Sequence, residues 1–197
     1  AAYQTAEPLQ LGELWAFPIM LRLALLENLR RVGLRIARRR EGRNAAITWA
    51  DRMLATAERK TKQVIQVLAE FANADVPLTA PFVEEFYARL QAQGSVMAFV
   101  QTWVEQKLLE QGVTATQLSE MDARTAATNQ ISMANSIGSL RFIGAMDWGD
   151  YVESLSLVEH TLREDPAGMH AQQDFVTRDR YRHVIEDVAR SCSHSEW

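Results

Sequence analysis

The residues best equipped for chemistry stand together near the C-terminus. Between Thr177 and Val184 the chain reads TRDRYRHV, so that Arg178, Arg180 and Arg182 alternate with Asp179, Tyr181 and His183. Guanidinium groups hold phosphates or carboxylates, an imidazole moves protons near neutral pH, and a carboxylate can orient it. The same residues also suit the start of a solvated helix. Asp179 favours the positive end of a helix dipole, and Asp179–His183, His183–Asp187 and Arg182–Glu186 are i,i+4 pairs. Tyr181, Val184, Ile185 and Val188 form a stripe that predicts the buried face, with Thr177 opening the helix. Arg178 has no such local explanation. A cation in a positive first turn needs an acid from elsewhere, and a structural ion pair with Asp174, or with an acid of REDPAG (163–168), is expected.

Other constellations are weaker. His183 with Glu186 and Asp187 offers one nitrogen and two carboxylates on one helical face, yet no second histidine stands four residues away. The remaining histidines, His160, His170 and His194, are scattered. The chain has no Walker loop, no Gly-x-Gly-x-x-Gly, no Gly-x-Ser-x-Gly and no Asp-x-Asp. No catalytic, cofactor-binding or metal-ligating residue is therefore assigned. One further pattern could bind a ligand: Thr125, Thr128, Ser132, Asn135 and Ser139 recur every three or four residues. Thr128, Ser132, Asn135 and Ser139 would line a polar groove able to hydrogen-bond a sugar. The plainer alternative is hydroxyls bonded back to helix carbonyls, beside a small-residue stripe of Ala127, Ile131, Ala134 and Gly138 that permits a close helix crossing.

Charge is unevenly spread. The formal net charge is −4, which argues against general nucleic-acid binding. Residues 1–43 nevertheless carry eight Lys/Arg against four acids. Arg30, Arg31, Arg35, Arg38 and Arg39 form a possible interaction surface for an acidic protein, an anionic membrane or the acidic remainder of the chain. Part of that cluster also offsets the dipole at a helix C-terminus. With Cys192 as the lone cysteine, no internal disulfide can form. The most apolar stretch, LWAFPIMLRLALLENL (14–29), is short and carries Arg22, Glu27 and Pro18, so it is not read as a membrane span. Nor does AAYQTAEPLQ resemble a signal peptide.

The elements that must position these residues are helical throughout. A length of 197 residues suits one domain or two intimate helical layers. The first helix places Leu14, Pro18, Leu21, Leu25, Leu29, Val32 and Ile36 on one face, and Pro18 either starts or kinks it. A break at EGRN (41–44) precedes a second helix over 45–72. Thr79 is expected to cap a helix over 80–91, and Ser95, after Gly94, the one following. Gly112 stops that helix, and TATQ (114–117) is a capping box opening the longest helix, roughly 30 residues. Asp147 caps a helix over 148–163, and the last helix runs from Thr177. The fold class is all-α, a bundle of about seven helices.

Three blocks carry a resemblance. ELWAFPIMLRLALLENLRRV (13–32), SIGSLRFIGAMDW (136–148) and TLREDPAGMHAQQDFVTRDRYRHVIEDVAR (161–190) resemble the N-terminal, pre-catalytic region of the cyclic β-1,2-glucan synthases. These large bacterial inner-membrane proteins also carry a processive glucosyltransferase domain and a phosphorylase-like domain. His170 departs from the pattern, which has an aromatic after DPAG. The resemblance implies UDP-glucose as donor, a divalent cation in the parent enzyme, and a β-1,2-glucan that is finally cyclised. It carries no catalytic residue onto this chain. Residues 1–197 are then expected to be a single helical domain of a much larger multidomain protein, soluble itself, at the cytoplasmic face of the inner membrane. Such a module would scaffold or dock the catalytic domains and help handle the glucan. The alternative is a stand-alone adaptor that binds an acidic partner through its basic helix.

Overall fold

A computed structural model describes residues 8–91 and 97–192. It contains eight α-helices and, among the described residues, no strand. They are α1 (Leu11–Lys60), α2 (Val64–Asn73), α3 (Ala80–Leu90), α4 (Ala98–Glu110), α5 (Ala115–Ala145), α6 (Trp148–Leu155), α7 (Leu157–Leu162) and α8 (Phe175–Ser191). The all-α expectation holds. The chain divides into two compact units: Asn28–Asn135 forms one, and the segments before and after it form the other.

Helix α1 differs most from its sequence reading. It spans 50 residues, which makes it longer than the 31-residue α5. It begins ahead of Pro18, which lies buried inside it. It also passes through EGRN without a break, for a packing reason. A Cβ built on Gly42 would lie 2.9 Å from Thr79 Oγ1, so this glycine permits close approach of the segment that leads into α3. The break comes later, at a 3-10 turn over Thr61–Gln63.

Several punctuation marks fall where the residues place them. Thr114 and Gln117 form the reciprocal capping box, with Gln117 N donating to Thr114 Oγ1 at 3.2 Å and Thr114 N to Gln117 Oε1 at 3.0 Å. Gly112 ends α4 with φ +76°. Asp147 caps α6, accepting from Gly149 N at 2.9 Å and Asp150 N at 3.2 Å. The helix expected over 148–163 is split at Ser156, which is both the C-cap of α6 and the N-cap of α7. Thr79 stands at the N-cap of α3 with extended backbone, but its side chain makes no capping bond. The expected cap at Ser95 lies outside the described residues.

The two units are held differently. In unit 28–135 the core gathers on Phe71, whose ring centroid lies 5.2 Å from Trp49, 5.5 Å from Trp103 and 5.7 Å from both Phe82 and Phe86. Ala46, Ala50, Met53, Val100, Val104 and Leu108 close around it. In the other unit the apolar cluster is small, with Leu11, Leu14 and Val152 buried and Trp15, Tyr151 and Leu155 packed against them. Among the described residues no helix is long and apolar enough to cross a membrane.

Gly33 and Gly42 both lie inside α1, but only Gly42 has a neighbour that a Cβ would meet. Gly33→Ala should therefore stabilise the protein by about 0.5–1 kcal/mol, the ordinary gain for alanine in a helix. Gly42→Ala should show no gain or a net loss. Urea unfolding of both variants checks this; equal gains would mean that Gly42 is not a packing glycine.

Candidate functional site

The arginine-rich stretch builds a buried ionic clasp. Helix α8 starts at Phe175, two residues before Thr177, because Asp174 caps it: Asp174 Oδ1 accepts from Thr177 N at 2.7 Å. Asp174 is thus a cap, and the acid that answers Arg178 is Glu153 on α6. Arg178 Nε reaches Glu153 Oε1 at 2.9 Å and its Nη2 reaches Oε2 at 3.0 Å, a two-pronged pair. Arg178 Nη1 also donates to the carbonyl of Gln173.

Arg182 is the centre, fully buried at 0% exposure. Its Nη1 donates to Glu153 Oε1 at 2.9 Å and Glu159 Oε2 at 2.6 Å, and its Nη2 to Asp179 Oδ1 at 3.0 Å. The guanidinium carbon sits 5.2 Å from the centre of the Phe175 ring. Arg163 completes the ring from outside, reaching Glu159 Oε1 at 2.8 Å and Glu153 Oε2 at 3.3 Å. Three guanidiniums thereby face three carboxylates. The split at Ser156 makes this possible. On an unbroken helix, residues six apart point about 120° away from each other; the turn at Ser156 lets both glutamates converge on one arginine.

This geometry inverts the expected face of α8. The stripe read as inward is outward, with Tyr181 48%, Val184 54% and Val188 58% exposed. Arg182 and Glu186 are the buried members instead. A charge is expensive to bury alone but tolerable when every lobe is matched, and here the matching acids come from α6 and α7. That is why periodicity pointed to the wrong face. The pairing of Arg182 with Glu186 is replaced too, since Glu186 Oε1 takes Arg190 at 2.6 Å and its Oε2 meets His183 Nδ1 at 3.1 Å. Asp179–His183 does form, at 3.5 Å. His170 is buried in the clasp, with Nε2 3.2 Å from Glu159 Oε2 and its ring edge-on to Tyr181 at 6.3 Å.

The clasp holds its acids ionised. Burial pushes Glu159 up, but hydrogen bonds from Arg163, Arg182 and His170 outweigh it and bring the carboxyl down to about 2. Burial likewise opposes ionisation of Glu153, and bonds from Arg178 and Arg182 again win, leaving it below its ordinary value. Both carboxylates therefore stay ionised near neutral pH and keep their ion pairs. Asp165 supports the turn beside it, accepting from the amides of Ala167 and Met169 at 3.0 Å and His170 at 3.3 Å.

The other expected sites fare as follows. On α1, Arg30, Arg31, Arg35 and Arg38 are exposed, whereas Arg39 is partly buried and pairs with Asp122 at 2.8 Å. The residues of the expected polar groove are mostly exposed or bonded within the chain. Thr125 and Thr128 return their hydroxyls to the carbonyls of Met121 and Arg124, at 2.8 and 3.0 Å, and Thr128, Asn135 and Ser139 are exposed. Ser132 accepts from Asn28 Nδ2 at 2.9 Å. The small-residue stripe is also outward: Ala127, Ala134 and Gly138 are exposed, as is Ile131 at 62%. The inward face of α5 is one residue on, through Asn129, Ser136 and Ile143. Among the described residues no group of three or more His, Cys, Asp and Glu could hold a metal.

Arg182→Ala should cost about 3–5 kcal/mol, the usual effect of stranding buried partners, while Arg180→Ala, two residues away on the same stretch but exposed, should change stability by less than about 0.5 kcal/mol. Similar values for the two variants would contradict the clasp. Acid should also weaken the fold. Glu159 stays ionised in the folded chain well below the ordinary 4.5, so the unfolded chain binds the extra proton as pH falls from about 4.5 to about 2. Stability is present above that window and lost through it, and Glu159→Gln should flatten the slope in urea titrations across it.

Comparison with known proteins gives one result of weight. No family model matches the chain. It is 34% identical over 194 residues to the cyclic beta-(1,2)-glucan synthase NdvB of Rhizobium meliloti, a match covering 98% of this chain. The same match covers only 7% of that relative. Over nearly its whole length, then, this chain is a relative of one segment of a cyclic β-(1,2)-glucan synthase.

Proposed function

We propose that the chain is a non-catalytic helical module of a cyclic β-1,2-glucan synthase that docks or scaffolds the catalytic domains of its parent. The observation that carries this reading is the outward apolar surface of the unit containing α8. Tyr181, Val184 and Val188 face outward on α8, and Ile19, Met20, Leu23 and Leu26 are all more than half exposed on α1. Large apolar side chains exposed in this number are what an interaction surface offers. The clasp supports the reading because it spends the buried side of α8 on charge and leaves the apolar side for a partner. The chain spans 7% of the relative it matches, so a parent of that length has ample further chain to supply the partner.

In this reading UDP-glucose and a divalent cation are handled by other domains, and the module sits at the cytoplasmic face of the bacterial inner membrane and helps guide the β-1,2-glucan.

Two measurements test it. The isolated chain should incorporate no labelled glucose from UDP-glucose; reproducible incorporation would end the non-catalytic reading. In the full-length synthase, Val184→Asp with Val188→Asp should reduce glucan synthesis at least about tenfold, as expected for charges placed in an apolar interface. The same pair should leave the melting temperature of the isolated chain nearly unchanged, because both residues are exposed there. Normal synthesis by the full-length variant would remove the docking role.

A further inference from the structure

A second feature lies in unit 28–135, on surface that the docking reading does not use. Helix α1, the start of α3 and helix α5 line an open cavity of about 420 Å³. Arg35, Arg38 and Arg39 line it, with Asp122 as its one acid, which leaves two positive charges. Asp122 is held by Arg39 Nη2 at 2.8 Å. Arg35 and Arg38 have no acidic partner among the described residues. The other nitrogen of Arg39, Nη1, is buried with no hydrogen-bond partner.

A backbone donor is available at the same place. Thr79 gives α3 no side-chain cap, and Val83 N is the first amide of that helix to return to the chain, bonding Thr79 O at 2.9 Å. The N–H of Ala80, which lines the cavity, therefore remains without a side-chain cap at the positive end of the helix, where Pro81 has no N–H to offer. Asn129, only 6% exposed, lines the cavity without a side-chain hydrogen bond among the described residues. The amide of Asn129, the buried Nη1 of Arg39 and the uncapped start of α3 at Ala80 are three donors at one cavity.

We propose that this cavity is a binding site for a phosphoryl group carried on an organic body. The residual charge of two matches a phosphate dianion, whereas one peptide carboxylate would satisfy half of it. Guanidiniums match phosphate oxygens in pairs. Leu78, Pro81 and Met121 give the wall an apolar side for the organic part, and the volume falls within the range of small-molecule sites. A neighbouring cavity of about 560 Å³ shares Arg39 and Asn129 and adds Arg40 and Arg43, so a longer or doubly phosphorylated ligand has room to continue. A soluble phosphate ester and an anionic lipid headgroup present the same chemistry.

Calorimetric titration of the whole chain at low ionic strength tests the proposal, with inorganic phosphate and pyrophosphate as soluble probes and phosphatidylglycerol against phosphatidylcholine vesicles as the lipid arm. The expected result is saturable binding of pyrophosphate, or of phosphatidylglycerol vesicles alone if the source is lipid. Arg35→Ala with Arg38→Ala should weaken that binding at least about tenfold, since both charge-assisted contacts are lost. Both residues are exposed and unpaired, so the variant should keep its helical circular dichroism. A charge-matched control, Arg59→Ala with Lys62→Ala, should change affinity less than about twofold. Equal losses in test and control would show unspecific attraction and overturn the site. So would binding of a polyglutamate peptide with no response to either phosphoryl probe.

Discussion

The guanidinium of Arg182 is the point on which the C-terminal helices depend. It is wholly buried, it touches acids from three helices, and with Arg178 and Arg163 it holds Glu153 and Glu159 ionised against their burial. The orientation of α8 follows from this contact. Rotating the helix to bury Tyr181, Val184 and Val188 would expose Arg182 and leave Glu153 and Glu159 short of donors. Desolvated charge left unpaired costs several kcal/mol, more than burial of one or two valines returns. The ionic constraint therefore outranks the apolar pattern.

The two units illustrate different solutions to cohesion. Around Phe71 the chain stacks aromatic rings and aliphatic side chains, a core that is non-directional and tolerant of small volume changes. The unit holding α8 has few buried apolar residues and relies on directed bonds. A core of that kind defines orientation sharply, and it leaves apolar side chains over for the surface.

Much of the helical layout was legible, because capping chemistry is local. Thr114 with Gln117, Asp147 and Gly112 each act on backbone groups within four residues, so short windows of sequence suffice. What was not legible depended on distant partners. Gly42 looks like a helix breaker until Thr79 is found against it, thirty-seven positions on. Arg178 was correctly singled out as needing a tertiary acid, yet its partner lay twenty-five residues back at Glu153 and not at Asp174. Arg182 was overlooked because i,i+4 spacing to Glu186 offered a sufficient local account. The face of α5 was misread by one position, which is enough to exchange Thr128 and Asn135 for Asn129 and Ser136. The cationic cavity was half visible: the arginines stood out, while the open start of α3 could appear only once Thr79 was seen to leave it uncapped.

The turn at Ser156 carries a consequence for how such a module can vary. Glu153 and Glu159 lie three residues on either side of a side chain that ends one helix and starts the next. Each residue added or removed on one arm would swing its glutamate by about 100° around the helix axis, away from Arg182. The seven positions from 153 to 159 therefore act as a ruler of fixed length. Related chains aligned across this region should place their gaps in the turn at 164–169 or beyond α8, and a gap between the two glutamates would signal that the ionic core had been exchanged for another.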